Sequence, residues 1–243
     1  MNRQQKRAQQ AQMRRAPLEM DVAIHEAGHA VAHLLTANLM GYAPNEAVLK
    51  IDVNSFGSQR SHDGRAFLMC QAICFAPSVS KALSQACRDY IAAAQVTSMP
   101  QAIEIYSRFG DADEFALSMS KRMLCAVMGA AAEANYRSTD ALAVFRDYAC
   151  EDDRRGFYEG CAGLEIEPSQ IEHFETAYID AASSLVSHTA VWNAIASIAR
   201  RLKGPMSGRQ IARLAWPKLQ SDPAAIAAAE AVVKSMVAID ETA

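Results

Sequence analysis

His25-Glu26-Ala27-Gly28-His29 combines the residue types of a metal site with the spacing of one helical turn. Positions four apart on an α-helix share a face and lie about 6 Å apart along the axis. Two imidazoles so placed can hold one zinc ion, and the intervening glutamate, Glu26, can reach a water on the same ion as a general base. The competing reading is a surface helix with two solvated histidines. It is opposed by an apolar stripe of Ala23, Ile24, Ala27, Ala30, Val31, Leu34 and Leu35 around the motif, which implies a buried helix. Gly28 costs the helix about 1 kcal/mol relative to alanine, so its presence implies the close approach of another backbone or of a substrate. His33 continues the histidine face but lies about 12 Å along the axis from His25, too far to share an ion bound at about 2 Å. It reads as a packed residue, and a third ligand must come from elsewhere.

That ligand must be a His, Cys, Asp or Glu held inward. Asp153 precedes Phe157, Gly160, Cys161 and Leu164 at helical spacing, which places it on a buried stripe, while Asp152 points about 100° away. An acid on a buried face is costly unless paired or metal-bound. Periodicity favours Asp153 but leaves Asp152, or a plain acidic pair at a helix start, open.

The elements that must carry these residues read as mainly α. A helix is expected from Pro17 or Asp21, stopping near Gly41 and Pro44. Residues 47–53 alternate as a strand, followed by a turn-rich stretch containing His62; a strand or short hairpin there would offer an edge to an extended peptide. Helices are expected over 77–96, with Pro100 as the stop beyond it, and over 111–136, 139–163, 168–188, 190–202, 207–214 and 222–238. The methionines of 111–136 read as core filler.

Composition narrows the function classes. The 243 residues are 51% hydrophobic with a net charge of −3, which argues against nucleic acid or an anionic membrane as the main partner. Residues 1–16 carry five cations (Arg3, Lys6, Arg7, Arg14, Arg15) and no acid, and read as a disordered basic arm. No segment reads as a signal or a membrane span, and six cysteines without export imply reduced thiols and a cytoplasmic location. Cys70 and Cys74, four apart, read as small core residues. No glycine-rich phosphate loop is present.

HEAGH, followed by Met128-Gly129-Ala130-Ala131-Ala132-Glu133 and then Asp152-Asp153, resembles the peptidase half of the FtsH-type zinc metallopeptidases. The resemblance covers roughly residues 18–215, and HEAGH is its specific part. It implies a helical metallopeptidase domain over 17–215. The span from His29 to Glu133 is longer than the family's and reads as an insertion within 56–100, and residues 216–243 read from their own composition as an Ala-rich C-terminal helix. The resemblance further implies His25, His29 and Asp153 as zinc ligands, Glu26 as general base and Glu133 as the carboxylate orienting a ligand histidine. Arg154 departs from the family, which has an apolar residue there. The family's ATPase module has no counterpart in these residues, so the expected activity is ATP-independent hydrolysis of flexible or unfolded protein or peptide substrates. The alternative is a non-catalytic, zinc-stabilised binding or adaptor module. A homo-oligomer is compatible with either.

Overall fold

Residues 18–53 and 72–235 are described by a computed structural model of the chain. The expected basic arm, His62 and Cys70 lie outside these residues.

The described chain is mainly helical, with a small antiparallel sheet. Helix α1 (Met20–Leu35) carries the motif, with Asp21 favouring its positive N-terminus. It buries the expected stripe together with Gly28, Ala32 and others. The helix ends at Leu35, before the expected stop, because the Thr36 hydroxyl donates back to the Ala32 carbonyl at 2.9 Å. A turn follows, with Gly41 at φ +72°.

Strand β1 (Lys50–Val53) pairs antiparallel with β2 (Ala72–Phe75), Ile51 opposite Cys74. Its other side pairs with the two-residue β3 (Met206–Ser207), so among the described residues β2 is an outer strand in the order β2-β1-β3. Residues 47–49, also expected in the strand, lead into it, and Leu49 donates to the Phe75 carbonyl at 2.8 Å.

Helix α2 (Lys81–Ala94) starts at Ser80, whose hydroxyl accepts from the Leu83 N–H. Helix α3 (Met99–Phe109) is a correction to the reading of Pro100 as a stop. Proline here occupies the first turn, where its missing N–H has no intrahelical partner to lose. Together α2, α3 and Met119 form a satellite core built on Val79, Leu83, Cys87 and Ala102.

Helix α4 (Ala112–Arg137) is the central element, 26 residues long and capped by Asp111, which accepts from Glu114 N–H. It packs against α1 and most of the later helices. The expected single helix over 139–163 is two, α5 (Ala141–Arg146) and α6 (Glu151–Gly163). The backbone turns to an extended conformation at Asp147, whose carboxylate accepts from Ala149 N–H at 2.9 Å and starts a short 3₁₀ turn, Tyr148–Cys150. The break puts Glu151, Asp152 and Asp153 in the first turn of a new helix, where acids are favoured.

Helices α7 (Ile171–Ser187), α8 (Thr189–Ala199), α9 (Gly208–Leu219) and α10 (Pro223–Ser235) complete the main core. Ser207 and Gln210 form a capping box at the start of α9. That helix runs on past 214, so a boundary after 215 falls inside it. Helix α10 is joined to the rest through buried Ala225, Ala229 and Val233. No helix among the described residues is long and apolar enough to cross a membrane.

Candidate metal centre

Helix α1 presents the His25 and His29 rings side by side, centroids 4.8 Å apart and nearly perpendicular. Each ring is anchored through its Nδ1. His25 Nδ1 lies 3.0 Å from Glu133 Oε2, and Arg137 fixes that carboxylate from the following turn at 2.6 Å. His29 Nδ1 donates to the Cys125 carbonyl at 2.7 Å. Both anchors come from α4. They leave the two Nε2 atoms pointing at the start of α6, where Asp153 Oδ2 lies 2.9 Å from His25 Nε2 and Asp153 Oδ1 lies 3.3 Å from His29 Nε2.

The floor of this arrangement is Gly129. A Cβ there would sit 2.5 Å from His29 Nε2 and 2.6 Å from His25 Nε2. One turn away, a Cβ on Gly28 would meet the Met128 carbonyl at 2.6 Å and Ala132 at 2.8 Å. The glycine-alanine run of α4 is therefore the seam against which the motif helix lies, and it provides the close backbone approach that Gly28 implied.

The donor set suits a tetrahedral ion. Four ligands at about 2.0–2.1 Å put neighbouring donor atoms about 3.3 Å apart, close to the imidazole–carboxylate separations found here. Both imidazoles are also held by Nδ1 acceptors, the usual arrangement for ligation through Nε2. Of the acidic pair, Asp153 is 22% exposed and faces the imidazoles, whereas Asp152 is 43% exposed and bonds Arg155 at 2.6 Å. Arg154, the departure from the family pattern, turns away and donates to the Phe145 carbonyl.

Electrostatics reflect the crowding. Burial would push Asp153 up, yet the two imidazoles hold it well below the usual carboxylate range. Burial would push His25 down, but Asp153 and Glu133 lift it well above its ordinary value, and His29 is raised by Asp153 against the same burial. Burial pushes the Glu26 carboxyl up, opposed by the charges of His29 and His25 and by a hydrogen bond from the Cys74 backbone on β2. Glu26 therefore lies between the histidines and the outer strand.

A cleft of about 240 Å³ opens beside the site, lined by His29, Asp153, Cys74, Cys125, Lys121 and His33 among others. His33 meets Cys125 Sγ at 3.7 Å, and burial drives its pKa well down, as befits a packed neutral ring.

Comparison with models of protein families, with curated proteins and with solved structures returns no match to this chain. The FtsH-type resemblance accordingly stands on its motif residues.

Two neighbours of the site were not expected from sequence. Cys150 offers a sulfur that, with donors of His25 and Asp153, falls in a group within 4.8 Å, and its thiol is pushed up to about 11 by burial. The 3₁₀ turn that aims it has no periodic signature. Lys121, not singled out in the sequence, is buried at the cleft within an otherwise apolar stretch of α4.

Proposed function

We propose that this chain is a zinc metallopeptidase that hydrolyses peptide bonds in extended, flexible segments of protein or peptide substrates. The observation that carries this reading is the convergence of His25 Nε2, His29 Nε2 and the Asp153 carboxylate above Gly129, with Glu26 alongside. His25, His29 and Asp153 would hold the ion, which when bound supplies a Lewis acid that polarises the scissile carbonyl and brings the pKa of a water to about 7.

The chain's own groups account for the remaining steps. Glu133 and the Cys125 carbonyl keep both imidazoles in the tautomer that leaves Nε2 free to ligate. Glu26 takes a proton from the attacking water and delivers it to the leaving amine. Burial raises its pKa above the usual carboxylate value, the direction that favours a group which must accept a proton and then return it. The outer edge of β2, whose Cys74 backbone already points to Glu26, is a template for an extended peptide alongside the cleft. A helical or folded segment offers no free strand edge to it, so flexible substrates are favoured.

Metal analysis combined with casein digestion tests the reading. Glu26→Gln should keep stoichiometric zinc and lose cleavage by roughly 10²–10⁴-fold. Asp153→Asn should lose both metal and activity. Casein digestion by Glu26→Gln at the wild-type rate would rule the mechanism out.

One observation favours a second reading. A Cys150 thiolate joining His25 and Asp153 would close the ion's coordination and make the site structural, in a binding or adaptor module. Cys150→Ser separates the two: it leaves zinc binding intact in the peptidase and weakens it in the closed site.

A further inference from the structure

Lys121 lies on α4 one turn before Cys125, whose carbonyl holds His29. It is 3% exposed and lines the same cleft as His29 and Asp153, with Cys74, Cys125 and His33 around it. Its ammonium donates to the Pro77 carbonyl at 2.7 Å. An ammonium carries three donors. Among the described residues no carboxylate comes within ion-pair distance of it. The Cys125 and Cys74 sulfurs beside it would favour its charge only as thiolates, and burial pushes both thiols up, while Arg122 is of the same sign. Arg122 is itself partnered, bonding the Glu159 carboxylate and the Gly156 carbonyl. Burial draws the lysine below its usual pKa.

One hydrogen bond to a carbonyl does not require a charge, since a neutral amide would make it as well. A buried cation without a counter-charge is costly, and the cost is relieved when an anion enters beside it. The cleft is where such an anion can enter. We infer that Lys121 is a specificity residue, whose ammonium receives a carboxylate of the bound peptide. The chemistry selected is an acidic side chain close to the cleavage point or a free C-terminal carboxylate. The inference rests on the peptidase reading for the identity of the ligand as a peptide, though not on catalysis itself.

Fluorescence anisotropy with short unstructured peptides tests it in the Glu26→Gln protein, which holds substrate without cutting. Four peptides carry either Glu or Gln at the centre and either a free or an amidated C-terminus. One carboxylate-bearing form should bind more tightly than its neutral counterpart, on the order of tenfold. A Glu-over-Gln preference identifies the side chain as the anion, and a free-over-amidated preference identifies the terminus. Lys121→Met and Lys121→Gln should both bring the ratio to one, and Lys121→Arg should retain a preference. Circular dichroism and the thermal midpoint check that each variant is folded. Equal binding of all four peptides, a preference that survives Lys121→Met, or no binding at all overturns the inference. Cleavage by the wild type is read separately. Hydrolysis of all four peptides without preference leaves the peptidase and removes the subsite, while a Lys121-dependent preference without hydrolysis does the reverse.

Discussion

Glu133 shows how much of the site depends on side chains that need never touch a substrate. It bonds His25 Nδ1 and is itself steadied by Arg137, so it sets both the tautomer and the tilt of one ligand. Glu133→Gln should therefore weaken zinc binding by about 10–100-fold while leaving the fold intact, measured by competition with a chromophoric chelator. Wild-type affinity in that variant would show that the pairing is decorative. Much at this scale was legible in the sequence. The turn-length spacing of His25 and His29 put both rings on one face, and the stripe following Asp153 favoured it over Asp152 as the buried acid, while its pairing with the histidines was implied only by the family resemblance. Cys150 and Lys121 were illegible for a physical reason. Each owes its position to tertiary packing: a 3₁₀ turn directs one sulfur, and a cleft wall surrounds one ammonium within an otherwise apolar helix face.

At the scale of elements, the decisive contact is the crossing of α1 and α4. Gly28→Ala should gain up to about 1 kcal/mol in helix propensity. Against this, the new methyl group meets the Met128 carbonyl at 2.6 Å, an overpacking worth roughly 1–3 kcal/mol. Net destabilisation is expected in urea unfolding, together with weaker metal binding, because the imidazoles would be lifted from their Gly129 floor. A gain in stability would mean that the helices can part without cost. Helix periodicity found most of these elements because their apolar faces are long and regular. It failed where a local bond outweighed the pattern. The Asp147 carboxylate divides what reads as one helix, and Pro100, read as a stop, begins one. The strand after α1 was visible by alternation, whereas its pairing with β3, more than 150 residues later, has no local signature.

For the molecule as a whole, the site ties together segments 128 residues apart, His25 on α1 and Asp153 on α6. Zinc should therefore stabilise the fold by mass action, about 2.7 kcal/mol at a hundredfold excess over Kd. The pH dependence follows from the two shifts. His25 sits well above its ordinary 6.5, so its contribution to stability is complete below that value and fades as pH rises through the folded value. Asp153 sits below its ordinary 3.8, so its contribution is present above that value and is lost as pH falls. In chelator-treated protein the pair should thus contribute most at mildly acidic pH, between those two ordinary values. The stabilisation by added zinc should instead grow towards neutral and mildly alkaline pH, because ligation displaces the imidazole protons. Thermal midpoints measured with and without zinc across this range check both trends. A zinc effect that is constant with pH would contradict them.

The far end of the chain has a practical bearing on any of these measurements. Ser120, buried in the middle of α4, donates to the Val233 carbonyl at 2.7 Å and shares a 2.8 Å hydrogen bond with the Tyr178 hydroxyl. One serine thus joins the central helix to α7 and to the last turns of α10. An expression vector that trims the chain before Val233 would leave the buried Ser120 hydroxyl without its carbonyl acceptor. Affinity tags and reporter fusions at this end should therefore be appended after the final residue, with every residue of α10 retained.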